Sequence, residues 1–368
     1  MPGEKMASKL LMLFVPLAAF LFQRLFQPSL QFGDHRETVY NHVPGTCRPV
    51  EGVVHGSEDI VRTRDGLAFI STGLIASPVF NPDPWYLQRK GKILLFNLKN
   101  PEDGVRELKI EPREKYEDLQ PHGLGLYENQ AGEIRLFVVN HLKDGERVEI
   151  FRYVRPEGKL KLIRSVQDPL LYSVNDVVAM GTDAFFATND HYCRAPWAKK
   201  LERFLGPAWS NVVYYNGSVA SVAADGFSVA NSVVTPPSGE VVYVSDSLQQ
   251  DVKVFRPRPD HSLELQSVIH LFTGVDNLNI CPDTGDLWVA AHPSVTDIFK
   301  HIQDRRHLAP SQVLRIQDPA GASPEVTELY ANDGRQLNGS SAAVVYNRRL
   351  LIGTVHDTLL YCDVTVPL

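Results

Sequence analysis

The chain has 368 residues, of which 43% are hydrophobic and 22% are charged, so it is long enough to bury a sizeable core and has the composition of a globular protein. The formal net charge is −6 and no run of Lys or Arg offsets it, which argues against nucleic acid as the main partner. The usual ~100–200 residues per domain would suggest two domains, but large all-β folds often exceed that range as one unit.

The N-terminus has the pattern of a secretory leader. Lys5 and Lys9 precede the apolar run 10–22, and Arg24 follows it. The run is shorter than the ~20 apolar residues that span a bilayer, but two further apolar residues extend it, so a membrane anchor is an alternative. No A-x-A cleavage signal follows. We therefore predict a leader over residues 1–30, cleaved or retained, and a protein of the secretory pathway that is secreted or membrane-associated.

The rest of the chain carries one three-part pattern six times. Each unit has a short strand that opens on a polar residue, then a strongly apolar strand, then a third strand that often contains an aromatic residue. The apolar middle strands are predicted at 67–71, 134–139, 184–188, 240–245, 286–291 and 349–354. The third strands are predicted at 92–98, 148–153, 211–216, 252–257, 312–317 and 358–364. The units are spaced by roughly 45–65 residues, close to the period of known propeller blades.

This repeat predicts an all-β fold. Gly, Pro, Asn and Asp separate the strands and long amphipathic helices are nearly absent, which excludes a doubly wound α/β sheet. Stacked sandwiches are the alternative. A propeller is favoured because the units repeat in order and radial packing buries both faces of every sheet, which explains the continuously hydrophobic middle strands. We predict a single six-bladed β-propeller domain over residues 31–368.

The four cysteines bear on how such a ring is closed. Cys47 lies near the start of the folded part and Cys362 in the last strand, whereas Cys193 and Cys281 are mid-chain. Four cysteines allow three pairings, and sequence alone does not choose among them. A bond between Cys47 and Cys362 is well placed to tie the first segment to the final blade; two unrelated thiols are the alternative.

Two triplets agree with a secretory route. Asn216 and Asn338 are each followed by Gly-Ser, which makes both of them N-glycosylation acceptors. Such triplets arise often by chance, so each is weak evidence alone.

Segment 190–211 breaks the β pattern and predicts a short helix. Pro196 suits the first helical turn. An apolar face follows at helical spacing, with Trp197, Leu201, Phe204 and Leu205. The helix is interpreted as a lid over a site, as an interfacial membrane contact, or as a loop helix that packs on the propeller.

Polar residues open the first strand of each unit. In chain order they are Glu58 with Asp59, His122, Asn175 with Asp176, Asn231, Asp276 with Asn277, and Asn338. The first strand of every propeller blade lines the central tunnel and all six enter from the same end, so we expect these residues to converge. Four of them are carboxylates. Two like charges ~4 Å apart repel by ~4 kcal/mol at an effective dielectric of 20, so such a ring calls for a cation.

The ligand types favour calcium. Carboxylate and amide oxygens are hard ligands, and Ca²⁺ takes about 6–8 of them in flexible geometry. Mg²⁺ prefers more water, and zinc is not expected because no His/Cys cluster shares the ring. The alternative is that each Asn or Asp only caps a local turn.

Three histidines are predicted near this face of the ring: His122, His141 and His292. A histidine beside a metal-polarised carbonyl group activates water as a general base, although a lone histidine at a strand end is more often structural. His191 and His356 have weaker claims. No G-x-S-x-G elbow is present, so covalent acyl-enzyme chemistry is not favoured.

At this point the chain resembles the paraoxonase family of calcium-dependent lactonases and arylesterases. The resemblance covers nearly the whole chain after the leader and is carried by the segments GSEDI, QPHGLG, LFVVNH, SVNDVVA, TNDHY, TGDLWVAAHP and LLIGTV…LYCDV. It implies a six-bladed propeller with two Ca²⁺ ions in its tunnel. It also implies hydrolysis of lactones and aryl esters, with organophosphates as a further substrate class.

The family's site residues carry over by motif. The resemblance assigns the catalytic Ca²⁺ to Glu58, Asn175, Asn231, Asp276 and Asn277. It assigns the structural Ca²⁺ to Asp59, Asp176 and the backbone carbonyl of Leu124. It makes His122 and His141 a histidine dyad, places His292 on the rim, and pairs Cys47 with Cys362 in a disulfide. It further implies a retained leader and lipid contact through helices, of which segment 190–211 matches the second.

The chain departs from the family at Ala291, where familiar members carry a free cysteine, and in the additional Cys193 and Cys281. The expected reaction is attack of water on an ester carbonyl whose oxygen binds the exposed Ca²⁺. His122 deprotonates the water and His141 orients His122, with Glu58 or Asp276 as alternative bases. Two rivals remain: a propeller lyase similar to strictosidine synthase, and a non-enzymatic binding propeller.

Overall fold

A computed structural model describes residues 15–16, 19–20, 39–74 and 89–368; the side chains of residues 114 and 115 are not described. Within these residues, six β-sheets are arranged around a central tunnel. The innermost strand of each sheet contacts the innermost strands of the two neighbouring sheets, which closes the ring. The predicted all-β, six-bladed propeller is confirmed.

The strands are numbered in chain order. Blade 1 contains β2 (Ile60–Arg62), β3 (Leu67–Thr72), β4 (Lys92–Asn97) and β5 (Val105–Glu107). Blade 2 contains β6 (Lys109–Glu111), β7 (Pro121–Glu128), β8 (Ile134–Leu142), β9 (Gly145–Val154) and β10 (Lys159–Val166), with β6 parallel to β10. Blade 3 contains β11 (Val174–Ala179), β12 (Phe185–Asn189), β13 (Ser210–Tyr215) and β14 (Ala220–Phe227).

The strands of the remaining three blades are given from the tunnel outward. Blade 4 contains β15 (Ala230–Val234), β16 (Val242–Asp246), β17 (Asp251–Pro257) and β18 (Leu263–His270). Blade 5 contains β19 (Gly274–Ile280), β20 (Leu287–His292), β21 (Ser311–Gln317) and β22 (Glu325–Asn332). Blade 6 contains β23 (Ser340–Tyr346), β24 (Arg349–Thr354), β25 (Leu360–Val364) and β1 (Gly45–Pro49).

The described residues include two α-helices, Pro196–Leu205 and Val295–Gln303, and two 3-10 helices, Pro101–Asp103 and Arg113–Tyr116. The first α-helix lies in the segment where the sequence predicts one. The helix Val295–Gln303 was not predicted; it begins after Ser294, whose side chain accepts a hydrogen bond from the backbone N–H of Asp297.

The hydrophobic core is divided into clusters that lie between neighbouring blades. Phe69 of blade 1 packs edge-on against Tyr153 of blade 2, with ring centroids 5.1 Å apart. Phe137 of blade 2 meets Phe185 of blade 3 in the same way at 6.0 Å. Both faces of the middle strands are therefore buried, which is the physical reason that these strands are apolar throughout instead of alternating.

The ring is closed by the first strand. β1 pairs antiparallel with β25, and Cys47 lies directly opposite Cys362, to which it is joined by a disulfide. Cys193 and Cys281 are free thiols. The predicted pairing of Cys47 with Cys362 is therefore observed, and the alternative of two unrelated thiols is excluded.

Four residues of the predicted leader (15, 16, 19 and 20) are described, and they are helical. The rest of residues 1–30 lies outside the described part of the chain. In the described part, neither α-helix combines the length and the apolar character that a bilayer crossing needs.

Candidate active site

The innermost strands are irregular where they enter the tunnel. Five of the six have a register shift near this end, between residues 121 and 124, 174 and 177, 230 and 233, 275 and 278, and 340 and 342. A bulge inserts extra residues into one strand and redirects their side chains. The ring residues that the sequence predicts on these strands, apart from Asn338, lie within or beside these bulges.

Hydroxyl groups of the middle strands accept hydrogen bonds from the backbone of the inner strands where these enter the tunnel. Three backbone N–H groups donate to such hydroxyls, those of Asp59 to Ser71, Asp176 to Thr188 and Ser232 to Ser245, at 3.0, 3.0 and 2.8 Å. The irregular backbone therefore keeps its hydrogen bonds and is held in one conformation.

The outer part of the ring contains oxygen atoms that nothing in the described chain satisfies. Four buried oxygens have no hydrogen-bond partner among the described residues: Glu58 Oε2, Asn175 Oδ1, Asn231 Oδ1 and Asn277 Oδ1. The amide nitrogen of Asn277 donates to the carbonyl oxygen and Oε1 of Glu58, at 3.0 and 3.1 Å, which ties the two side chains together. An unpaired buried polar atom costs about 1–3 kcal/mol, so four at one place indicate a site for a group that interacts with oxygen ligands.

A second pair of acids lies deeper in the tunnel. The Asp59 carboxylate accepts hydrogen bonds from the N–H groups of Ile60 and Leu124, at 2.7 and 2.6 Å. That of Asp176 accepts one from the N–H of Val233 at 2.9 Å. Burial, and then the charge of Asp176, raise the pKa of Asp59 well above its usual value, and burial raises the pKa of Asp176 to about 7. Two buried acids whose charges affect each other favour a shared cation or a shared proton.

The outer and deeper groups face opposite ends of the tunnel. Glu58, Asn175, Asn231 and Asp276 line a cavity of about 190 Å³, and Asp59 and Asp176 line another of about 370 Å³. Gly123 of β7 permits the close approach of β7 to β11, the strand that contains Asn175 and Asp176. A Cβ atom there would lie 2.5 Å from the carbonyl oxygen of Asn175 and 2.6 Å from Oδ1 of Asp176.

The ligand chemistry of this ring is unusual for a protein metal site. Over the described ranges, no group of three or more His, Cys, Asp or Glu side chains has metal-binding spacing. The outer set that the sequence predicts contains only two carboxylates, and its other members are the amides Asn175, Asn231 and Asn277. Such a set of hard oxygens suits Ca²⁺ better than a transition metal.

Two of the predicted histidines are in direct contact. His122 Nδ1 lies 2.8 Å from His141 Nε2, and His122 Nε2 lies 3.4 Å from Glu58 Oε1. Burial alone would lower the pKa of His122, but the carboxylates of Glu58, Asp190 and Asp276 outweigh it and raise the pKa to about 9. The pair therefore connects His141 to the outer ring through Glu58.

Glu146 extends this chain of contacts, and sequence reasoning missed it. Its Oε2 is hydrogen-bonded to Nδ1 of His141. The stretch NHLKDGER indicates a hairpin but not this pairing. Leu142 pairs with Gly145, so the turn is Lys143-Asp144, whereas an Asp-Gly turn expected from the sequence would pair Lys143 with Glu146.

The third predicted histidine contacts another ring acid. His292 Nε2 lies 2.8 Å from Oδ2 of Asp276, and both side chains are buried. Burial raises the pKa of Asp276, although the hydrogen bond from His292 opposes the rise. The three predicted histidines therefore all lie in one region with the ring acids.

One predicted ring member lies elsewhere. Asn338 donates its amide N–H to Oδ2 of Asp357 at 3.0 Å, and its oxygen accepts the N–H of Ala309 at 3.0 Å. The sixth sector instead contributes Ser341, whose hydroxyl donates to the carbonyl oxygen of Glu58 at 2.6 Å.

The wall of the cavity is partly apolar. The helix Val295–Gln303 contributes Ile298 and Phe299, and the guanidinium of Arg203 lies 5.0 Å from the centre of the Phe299 ring. His191 and His356, which had weaker claims from sequence, both line the cavity. None of these wall residues was predicted as a site residue.

The helix Pro196–Leu205 turns its apolar face away from the propeller. Trp197, Leu201 and Phe204 are 71%, 48% and 37% exposed. Its buried residue is Glu202, whose carboxylate accepts the backbone N–H groups of residues 192 and 193 at 2.8 and 2.7 Å. The helix therefore packs on the propeller through Glu202 and Arg203, and three residues of its apolar face are left exposed.

The fold and the site together define a class: a six-bladed propeller whose tunnel mouth combines acidic and amide ligands with a histidine pair. Comparison with known proteins gives the family. The family described as Arylesterase matches residues 39–364. Serum paraoxonase/arylesterase 2 of Homo sapiens is 39% identical over 94% of this chain and 96% of its own length, and that of Rattus norvegicus is 39% identical over 86% and 88%. The chain belongs to the arylesterase family, a family of carboxylic ester hydrolases.

A solved structure supports the fold alone. A luciferin-regenerating enzyme aligns over 88% of this chain and all of its own with a TM-score of 0.54, at only 10% sequence identity.

Proposed function

We propose that this protein is a calcium-dependent hydrolase of lactones and aryl esters. The observation that carries the proposal is the cluster of four buried, unpartnered oxygens beside the contact between His122 and His141. The relatives named above are arylesterases, which supports the same reaction class. A propeller lyase and a non-enzymatic binding propeller, both open from sequence, gain no support from these comparisons.

Two calcium ions fit the two groups of ligands. The outer, catalytic ion would be held by Glu58, Asn175, Asn231, Asp276 and Asn277. The deeper, structural ion would be held by Asp59, Asp176 and the carbonyl oxygen of Leu124. The unpartnered oxygens of the outer group and the crowded acids of the deeper group both support this assignment.

A bound Ca²⁺ supplies an electrophile that stabilises negative charge on an ester carbonyl oxygen. The side chains of the protein bind, orient and move protons. His122 takes a proton from the attacking water at Nε2, while its Nδ1–H stays donated to His141. Glu58 and Asp276 raise the pKa of His122, and a dication held by these carboxylates would oppose that effect. His292 positions Asp276, and the apolar wall at Ile298 and Phe299 favours hydrophobic substrates.

The test is hydrolysis of phenyl acetate and δ-valerolactone by the purified protein, with EGTA and with calcium restored. We expect both activities to fall to background in EGTA and to return with Ca²⁺. Metal analysis of the active protein provides the control. Full activity in a preparation shown to contain no calcium would contradict the proposal.

We also propose that the protein enters the secretory pathway and is glycosylated at Asn216. This residue is exposed and its oxygen accepts the N–H groups of Ser218 and Val219, an arrangement that leaves the amide nitrogen available. The amide nitrogen of Asn338 is engaged by Asp357. We expect Asn216→Gln, but not Asn338→Gln, to lower the mass of the secreted protein by one glycan. An unchanged mass for Asn216→Gln would refute the assignment.

The exposed apolar face of the helix Pro196–Leu205 supports a further proposal, contact with a membrane or lipid-particle surface. Trp197, Leu201 and Phe204 form this face, and Lys200 is exposed beside it. Aromatic and aliphatic side chains with flanking lysines are typical of interfacial helices.

A further inference from the structure

Glu146 lies in a tight hairpin that fixes its position relative to His141. Strand β8 ends at Leu142 and β9 begins at Gly145, so two residues form the turn. The pairing register places His141 directly opposite Glu146. Directly opposite residues of an antiparallel pair point to the same face with Cβ atoms about 4.5–5.5 Å apart, which brings the carboxylate to the imidazole.

The contact between the two side chains determines where the protons lie. An ionised carboxylate only accepts hydrogen bonds, so the proton at the Glu146 contact belongs to Nδ1 of His141. In the neutral ring, Nε2 then carries the lone pair, and it accepts from Nδ1 of His122 at 2.8 Å. This leaves the lone pair of His122 on Nε2, the atom that faces Glu58 and the ring of ligands. One carboxylate thus sets the tautomer of both histidines.

The carboxylate of Glu146 has one polar partner among the described residues. It makes no other hydrogen bond or ion pair with these residues, and the side chain is mostly shielded from solvent. The neighbouring acid Asp144 behaves differently: its side chain is 67% exposed and pairs with Arg147. A carboxylate that meets only a functional histidine is typical of the third member of a catalytic relay.

We propose that Glu146 is a positioning residue for the hydrolytic reaction, the distal end of a Glu146–His141–His122 relay that keeps the proton-accepting nitrogen of His122 directed at the attacking water. The inference rests on the proposed function, since it assigns a role within that reaction. In the step, a water O–H bond breaks and its proton moves to Nε2 of His122, while the water oxygen bonds to the carbonyl carbon and the carbonyl π electrons move to the carbonyl oxygen. When this tetrahedral adduct collapses, the C–O bond to the alcohol or phenol breaks and the leaving oxygen takes the proton back from Nε2 of His122. The carboxylate of Glu146 keeps its hydrogen bond from Nδ1–H of His141 and faces the positive charge that the histidine pair gains.

The first test is kinetic, with phenyl acetate as the substrate. We expect Glu146→Gln to lower kcat about 10–100-fold with little change in KM, because partners of this kind orient a reacting group without binding substrate. Glu146→Asp retains the charge and should recover part of the loss. Asp144→Asn removes a carboxylate of the same hairpin and should behave as the wild type.

A double variant tests whether Glu146 acts through the pair. The variant that combines His122→Gln with Glu146→Gln should be no slower than His122→Gln alone, since the relay is already broken. An additive loss would overturn the proposal, as would wild-type kcat in Glu146→Gln.

A spectroscopic test does not depend on turnover. Long-range ¹H–¹⁵N correlation spectra of the calcium-loaded protein should show His141 protonated at Nδ1 in the wild type and in Asp144→Asn, and a changed tautomer population in Glu146→Gln. An unchanged tautomer in Glu146→Gln would refute the inference even in an active enzyme. A protein that shows the expected tautomers but hydrolyses no ester would instead refute the proposed function.

Discussion

Asn231 presents a buried amide oxygen with no hydrogen-bond donor among the described residues, although its backbone carbonyl is bonded to Thr188. Asn279, on the inner strand β19 of the neighbouring blade, has a side chain that is paired. Its amide nitrogen donates to the carbonyl oxygen of Ile60 at 2.6 Å. One asparagine therefore has an unpaired amide oxygen, which agrees with the proposed role as a calcium ligand, and the other joins two blades.

Replacing each of these asparagines by alanine should affect calcium affinity and melting temperature in opposite ways. Asn231→Ala should lower calcium affinity at the tunnel mouth at least about tenfold, as loss of a supporting partner already does. Its melting temperature in EGTA should not fall, because an unpaired polar atom has been removed. Asn279→Ala should melt earlier in EGTA with little change in calcium affinity. Calorimetric calcium titration and thermal melts measure both; equal calcium affinity in Asn231→Ala and wild type would exclude Asn231 as a ligand.

Individual ring residues were predictable from sequence because each stands at the same phase of a repeating unit. Glu58, Asn175 and Asp276 meet in space for that reason. Other members of the site were not predicted, because their roles come from contacts across the fold. Arg203 reaches the cavity through the packing of a loop helix on Phe299, and a one-dimensional repeat contains no such information.

At the scale of elements, the middle and third strands were placed within a few residues, since continuous apolar runs are a strong signal. The bulges of the inner strands were not predicted. They depend on a hydroxyl in the next strand, such as Thr188 for the N–H of Asp176, and such pairings appear only once the register is known. The outermost strands were also not predicted. They are polar on their exposed side, and β18, for example, alternates too weakly to be distinguished from a loop.

The helix Pro196–Leu205 shows that a hydrophobic face need not face the core. Its periodicity was predicted, but its orientation is set by Glu202, whose carboxylate anchors the helix to two backbone N–H groups. The apolar face is left outside as a result. Periodicity alone does not distinguish a face that packs on the protein from one that meets a lipid surface.

We therefore expect the combined change of Trp197, Leu201 and Phe204 to serine to weaken binding to phosphatidylcholine vesicles more than about tenfold, since each buried side chain of this size contributes about 1.5–3 kcal/mol. Hydrolysis of phenyl acetate in solution should stay within about twofold of the wild type. Lys200→Ser, on the same helix, is the matched control for uncharged vesicles. Vesicle co-sedimentation measures the effect, and unchanged binding of the triple variant would disprove lipid contact by this face.

At the scale of the whole molecule, the site exists only because the ring is closed. The residues proposed as ligands are as far apart in the chain as Glu58 and Asn277, and they meet because each inner strand contacts the next around the tunnel. Closure depends on β1, which lies in blade 6 although the chain continues from it into blade 1. The disulfide between Cys47 and Cys362 is the covalent link between β1 and the rest of blade 6. Loss of β1 would expose the edge of β25 and loosen the contact between the last blade and the first.

Replacement of Cys47 and Cys362 together by alanine should lower the melting temperature substantially. The two cysteines are 315 residues apart, and chain-entropy reasoning gives about 6 kcal/mol as an upper value for so long a closure. Calcium should partly restore the stability, because bound ions also hold the inner strands together. Cys193→Ser is the control, since that thiol is free and should leave the melting temperature unchanged. Differential scanning calorimetry with and without Ca²⁺ measures the effect. If the double variant and the control melt at the same temperature, the backbone pairing of β1 with β25 is sufficient to close the ring without the disulfide.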